Sequence, residues 1–150
     1  VYGDVDETQA FIGLARAVAD EELSTLLLKI ERELWILMAE LACNPEKIDN
    51  LDKNSRVTKE MVEDLEGMID ELSEKFEMPK EFVVPGEDEV SARLDVARTV
   101  CRRAERSAVG LALENSYVVP YLNRLSDLLW SAARWQEGES VTTKSVPASE

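Results

Sequence analysis

Ala97-Arg98-Thr99-Val100-Cys101-Arg102-Arg103-Ala104-Glu105-Arg106 places four arginines within nine residues of an otherwise acidic chain. The spacing reads as helix. Each step of four residues advances a little more than one turn, so Arg98, Arg102 and Arg106 stack on one face. Leu94, Ala97, Cys101, Ala104, Ala108 and Leu111 form an apolar stripe beside them, as expected of a helix with one side in a core. Spacing alone leaves two readings of the arginine column. It is a grip for an anion, or it is a solvated face paired along the helix to Asp95 and Glu105.

The same periodicity extends outward in both directions. This helix is expected from about Asp88 to Glu114, with Asn115-Ser116 as its punctuation. A further helix follows from about Val119 to Gln136, with Leu122, Leu125, Leu129, Ala132 and Ala133 inward and Asn123, Asp127, Trp130 and Arg134 on another face. Pro120 suits its first turn. Upstream, Leu26, Leu27, Ile30, Leu34, Leu37, Met38 and Leu41 mark a clear amphipathic helix from Asp20 or Glu21 to Ala42,. Trp35 lies off that stripe, where it covers a neighbouring helix or a subunit contact. Asn44-Pro45 ends the run.

Two more helices complete the set. The first runs from about Val5 to Val18, with Asp4 and Asp6 at its start, where carboxylates favour exposed amides and the macrodipole. The other begins at Thr58 and carries Met61, Leu65, Met68, Ile69, Leu72 and Phe76 before Met78-Pro79. Thr58 is a natural N-cap, but Met61 stands where a capping box wants an acid or amide, so no full box is expected. Glu81-Phe82-Val83-Val84-Pro85-Gly86 is too short to build a sheet and reads as a buried connector. Phe82 is then core packing or one wall of a pocket. From Glu137 onward, Ser, Thr and Gly suggest a poorly ordered tail. The whole is an all-α, antiparallel five-helix bundle: one domain over residues 1–137, then a flexible tail over 138–150.

Composition narrows the function. A net charge of −14 over 150 residues argues against nucleic acid, which needs a basic footprint, and against an anionic membrane surface. It does not forbid a small anion at a local basic site. No apolar run is long enough to cross a bilayer, and Val1-Tyr2-Gly3-Asp4 shows no signal peptide. Cys43 and Cys101 therefore read as reduced core residues of a cytoplasmic protein. The sequence opens almost directly on a helix, and a native N-terminal segment is expected to be missing. There is no histidine, which removes the usual general base, Ser-His-Asp sets and most transition-metal sites. No Walker loop or Gly-x-Gly-x-x-Gly fingerprint is present. What remains is the arginine column, the acids beside it and the polar face of the fifth helix. A guanidinium fork matches phosphate oxygens, so a polyphosphate site is one possibility. Asp6, Glu105 or Asp127 can partner any arginine that is buried. Physics alone selects no reaction.

Three segments carry a resemblance. They are Tyr2-Gly3-Asp4-Val5-Asp6-Glu7-Thr8 with Phe11-Ile12-Gly13; Phe82-Val83-Val84-Pro85-Gly86 followed by Ala97 to Arg106; and Tyr121-Leu122-Asn123-Arg124-Leu125-Ser126-Asp127-Leu128-Leu129-Trp130 with Ala133-Arg134. In this order they resemble the propanediol-utilisation type of ATP:corrinoid adenosyltransferase. The resemblance implies a cobalamin adenosyltransferase-like (ferritin-like) bundle, usually a homotrimer with sites between subunits. It implies transfer of the 5′-deoxyadenosyl group of ATP to cob(I)alamin with release of triphosphate, Mg²⁺ bridging the phosphates. Co(I) is itself the nucleophile, so the missing histidine is no obstacle.

By motif, Arg102 would grip the phosphates and Asn123 would contact the nucleotide, with Glu105 and Arg106 completing that site. Asp6 would pair with Arg98 across the subunit interface. Phe82 would lie at the lower face of the corrin and help exclude its axial ligand. Arg103 points away from the column and is left out of the first rank. Two departures stand out. Family members usually carry a Thr-Arg-x-Gly-Asp-x-Gly-x-Thr segment that wraps the triphosphate. The sequence begins after that point, which implies poor ATP binding without it. Pro85-Gly86-Glu87 lacks a common second glycine, and Asp95 stands where histidine is often found. The competing readings are a non-catalytic helical bundle that senses nucleotide or scaffolds partners, and a homologue that has lost activity.

Overall fold

The structure is a computed structural model and describes residues 1–43 and 45–143. Five helices make the body: α1 (Tyr2–Arg16), α2 (Glu21–Ala42), α3 (Lys59–Ser73), α4 (Glu89–Val109) and α5 (Val118–Glu137). Short 3₁₀ turns at Pro45–Asn50 and Lys53–Ser55 link α2 to α3. β1 (Val83–Val84) pairs antiparallel with β2 (Val141–Thr142), Val83 opposite Thr142 and Val84 opposite Val141. Among the described residues no helix is long and apolar enough to cross a membrane.

Side-chain caps set three of the starts. Asp20 accepts from the Leu23 amide at 2.9 Å, Thr58 from the Met61 amide at 3.2 Å and Asp88 from the Ser91 amide at 3.0 Å. Each bond satisfies an amide that the first turn leaves without an intrahelical partner. At Thr58 the structure corrects the expectation. Met61 Sδ accepts from the Thr58 amide at 3.4 Å, so a thioether, a weak acceptor, closes the box,.

α4 lies at the middle of the bundle, against α1 on one side and α5 on the other. α3 packs on α5, and α2 on α1. Small residues explain the place of α4. Ala97, Cys101, Ala104 and Ala108 are fully buried, and Cys101 Sγ donates to Leu122 O of α5 at 3.4 Å. Leu27, Ile30, Leu34 and Leu37 bring α2 into the same core. Tyr121 of α5 donates to buried Glu33 of α2 at 2.9 Å. Lys75, after α3, reaches Glu22 of α2 at 2.8 Å. Glu40 is 3% exposed near the end of α2 and accepts from the Val57 amide at 2.8 Å and the Ser116 hydroxyl at 2.6 Å. One carboxylate thereby pins two connections.

Several boundaries differ from expectation. α1 begins at Tyr2. α4 ends at Val109, because Ala112 (φ 49°) and Asn115 (φ 52°) take left-handed backbone that no helix continues through,. Leu111 therefore leaves the stripe and is exposed. α3 stops at Ser73, and Phe76 packs edge-on to Trp130 with ring centroids 6.0 Å apart. Trp35 is exposed. The expected buried connector is a surface ribbon, and Phe82 at its start is 86% exposed, so it is not core packing. The ribbon bonds its backbone to β2 instead of entering the bundle; the Thr143 amide donates to Phe82 O at 2.9 Å. The first residues of the expected tail thus have a place in the fold, while residues 144–150 lie outside the described residues. Among the described residues no disulfide joins the cysteines: Cys101 is buried and Cys43 half-buried.

Candidate active site

Helical spacing on two neighbouring helices builds one cleft. Arg98, Arg102 and Glu105 project from α4; Asn123, Ser126, Asp127 and Trp130 project from α5. They line a volume of about 480 Å³ along the seam between the two helices. The α4 residues stand on the face beside its buried alanines. The α5 residues follow the i, i+3, i+4, i+7 rule from Asn123.

Most charges in the cleft are committed to partners. Glu105 accepts from the Asn123 amide at 2.8 Å. Asn123 Oδ1 accepts from Arg124 at 3.1 and 2.6 Å, and Arg124 pairs with Asp127 at 2.7 Å. Arg98 Nε donates to Asp95 at 3.3 Å, and Asp95 also accepts from Arg134 at 2.6 Å. Asp95 and Arg134 are buried, at 4% and 2% exposure. Arg102 is exposed and has no hydrogen bond or ion pair with any described residue. It is the cation in this cleft whose donors all stay available to an incoming anion.

The structure brings Arg98, Arg102, Glu105 and Asn123 together. It does not bring in Arg106, which is exposed one turn further along α4, or Asp6, which is exposed on α1. Phe82 lies outside the cleft and lines a second groove of about 570 Å³ with Pro79, Lys80, Glu81, Val83, Trp130 and Thr143. Trp130 is common to both volumes. The sequence reading did not rank Ser126, Asp127 or Trp130 in the site, although their spacing from Asn123 was a usable signal.

Arg103 faces elsewhere. It binds Asp4 at 3.1 Å and Glu7 at 2.6 Å, and Ser107 donates to Asp4 at 3.0 Å, clamping α1 to α4. The Ser107 hydrogen bond, with help from Arg103, lowers the Asp4 carboxyl pKa. Glu7, then Asp4, raise that of Arg103. On the inner side of α4, burial pushes the Cys101 thiol well above its ordinary range, with the Glu105 and Asp127 charges adding to the effect. A thiol held protonated is no nucleophile.

Comparison with known proteins gives one consistent result. Residues 1–136 match the family described as cobalamin adenosyltransferase. The chain is 38% identical over 143 residues to the corrinoid adenosyltransferase PduO of Salmonella typhimurium, covering 93% of this chain and 42% of that protein. It is 38% identical over 141 residues to the corrinoid adenosyltransferase of Bacillus subtilis, covering 89% of this chain and 70% of that one. A variant PduO-type ATP:corrinoid adenosyltransferase from Lactobacillus reuteri, complexed with cobalamin and ATP, superposes with a TM-score of 0.85 at 28% identity, covering 96% of this chain and 82% of that chain. Another variant of that enzyme, complexed with ATP, gives 0.79 at 31% identity, covering 91% and 78%.

Proposed function

This chain belongs to the cobalamin adenosyltransferase family, and on that premise we propose that it transfers the 5′-deoxyadenosyl group of ATP to cob(I)alamin. The observation that carries the proposal is the cleft between α4 and α5, where Arg102, unpaired among the described residues, stands beside Arg98 and the Glu105–Asn123 pair. In the reaction, the Co(I) electron pair forms a bond to the ribose C5′. The C5′–O bond breaks, and its electrons leave with triphosphate. No protein base is needed. What the chain supplies is position and charge.

Arg102 takes the phosphates, with Arg106 further along the column. Asn123, held by Glu105, contacts the nucleotide. Mg²⁺ held by the ATP phosphates would neutralise part of their charge; the cleft acids Glu105 and Asp127 are already engaged by Asn123 and Arg124. Phe82 is the apolar wall on the corrin side, which its exposure beside the second groove supports. Asp6 and Arg98 join neighbouring copies in a homotrimer, and the exposure of Asp6 on α1 suits that role. A cytoplasmic location is part of the same proposal.

The direct test mixes full-length protein, ATP, Mg²⁺ and chemically reduced cobalamin and follows the cob(I)alamin spectrum. Conversion to adenosylcobalamin is expected. Nucleotide binding without conversion would favour a sensor.

A further inference from the structure

Beneath the cleft, four charged side chains alternate in sign. Arg98 meets Asp95 at 3.3 Å, Asp95 meets Arg134 at 2.6 Å, and Arg134 Nε lies 2.7 Å from Glu137 Oε1. The formal charges cancel. The inner members are shut off from water: the side chains of Asp95, Arg134 and Glu137 are 5%, 2% and 0% exposed. The last contact is short but not aligned as a hydrogen bond, which leaves Arg134 Nε and Glu137 Oε2 without one. The Arg134 guanidinium also lies over the Trp130 ring, 5.3 Å from its centroid. Ser140 donates to Glu137 Oε1 at 2.6 Å. Val141 follows directly and pairs with Val84 in the ribbon that begins beside Phe82.

A buried arginine of this kind does not earn its place through stability alone, since an ion pair out of water roughly balances its own desolvation. Its geometry is more informative. One fork reaches Asp95 on α4 and Glu137 at the end of α5, and one guanidinium face holds Trp130, which lines both grooves. We infer that Arg134 is a positioning residue that couples the two sides of the site, fixing Arg98 at the nucleotide cleft and the Phe82-bearing ribbon in one shared geometry. The inference rests on the functional reading above for what the two grooves bind. The mechanical link between them does not.

Reciprocity tests it. A true coupling must be felt from either end. Asp95→Asn sits on α4 and touches neither strand, yet it should speed amide hydrogen exchange at residues 82–84 and 140–143 by about fivefold or more. Glu137→Gln sits at the ribbon end, yet it should raise KM for ATP by a similar factor while kcat falls less. Arg134→Lys keeps the charge but loses the fork, and should show both effects. Circular dichroism confirms that each variant is folded. If Asp95→Asn leaves ribbon exchange at the wild-type rate, or only the near end responds in each variant, the coupling is overturned. Wild-type protein that adenosylates nothing would sink the functional reading instead, and the exchange measurement would still decide the coupling.

Discussion

Asn123 donates to Glu105 at 2.8 Å across the seam between α4 and α5, and its Oδ1 is held by two bonds from Arg124. Both ends of the amide are therefore oriented before any ligand arrives. Asn123→Asp would set a second carboxylate against Glu105 in a cleft proposed to receive polyphosphate. KM for ATP is expected to rise by roughly tenfold, about 1.4 kcal/mol of binding. Steady-state kinetics checks this, and an unchanged KM would remove Asn123 from the nucleotide site.

Arg102 contributes nothing to the fold that Ala would lose, since it has no partner among the described residues. Arg102→Ala should leave thermal stability within about 0.5 kcal/mol of wild type. Turnover should fall by about 10²-fold or more, as when one preorganised charge contact to a reacting group is removed. Parallel melting curves and turnover assays separate the two. A large loss of stability would mean that the arginine is structural.

Asp6 is exposed on α1 and Arg98 is the cleft arginine nearest the interior. With the two bridging subunits, Asp6→Asn is expected to weaken trimer assembly and lower activity together. Sedimentation velocity over a concentration series checks this. A variant as trimeric and as active as wild type would count against the bridge.

Glu33 is buried beside Tyr121. Burial raises its pKa above 4.5, against the opposing pull of the Tyr121 hydrogen bond. A carboxyl raised in this way supports the fold when protonated. Its contribution is complete below the unfolded value of 4.5 and is lost as pH climbs through the folded value,. Glu33→Gln carries no charge and keeps an acceptor for Tyr121. It should raise Tm at neutral pH, and the gain should shrink as pH falls toward about 4. A gain that does not vary with pH would contradict this account.

The helices were legible because each carries an apolar stripe, and the Thr58 cap was legible with them; Asp20 and Asp88 were readable as helix starts, and the structure shows them as caps. Their ends were less so. α4 stops at Val109 with Gly110 as its C-cap, and Ala112 turns left-handed just beyond; Gly110 was the usable signal, masked by the apolar Leu111 and Leu113 that follow it. Phe82 misled because apolar residues in a short run look buried, whereas pairing with a strand some sixty residues away cannot be read locally.

In the site, Arg98, Arg102, Glu105 and Asn123 were readable as residues and motifs, and the packing of α4 on α5 brings them into one cleft. The support beneath them was not readable. Arg134 looked like one more polar residue on a helix face, yet it is 2% exposed. Its partner Asp95 is thirty-nine residues away in the chain, and only the helix crossing sets them side by side.

Adenosyl transfer to the corrinoid nucleophile, as proposed, releases triphosphate as its leaving group. Product stoichiometry tests it most directly: full-length protein, ATP, Mg²⁺ and cob(I)alamin, with adenosylcobalamin and released phosphate species quantified in the same samples. One triphosphate should appear for each adenosylcobalamin formed. ATP consumed to ADP and phosphate, with cob(I)alamin left unalkylated, would contradict the account.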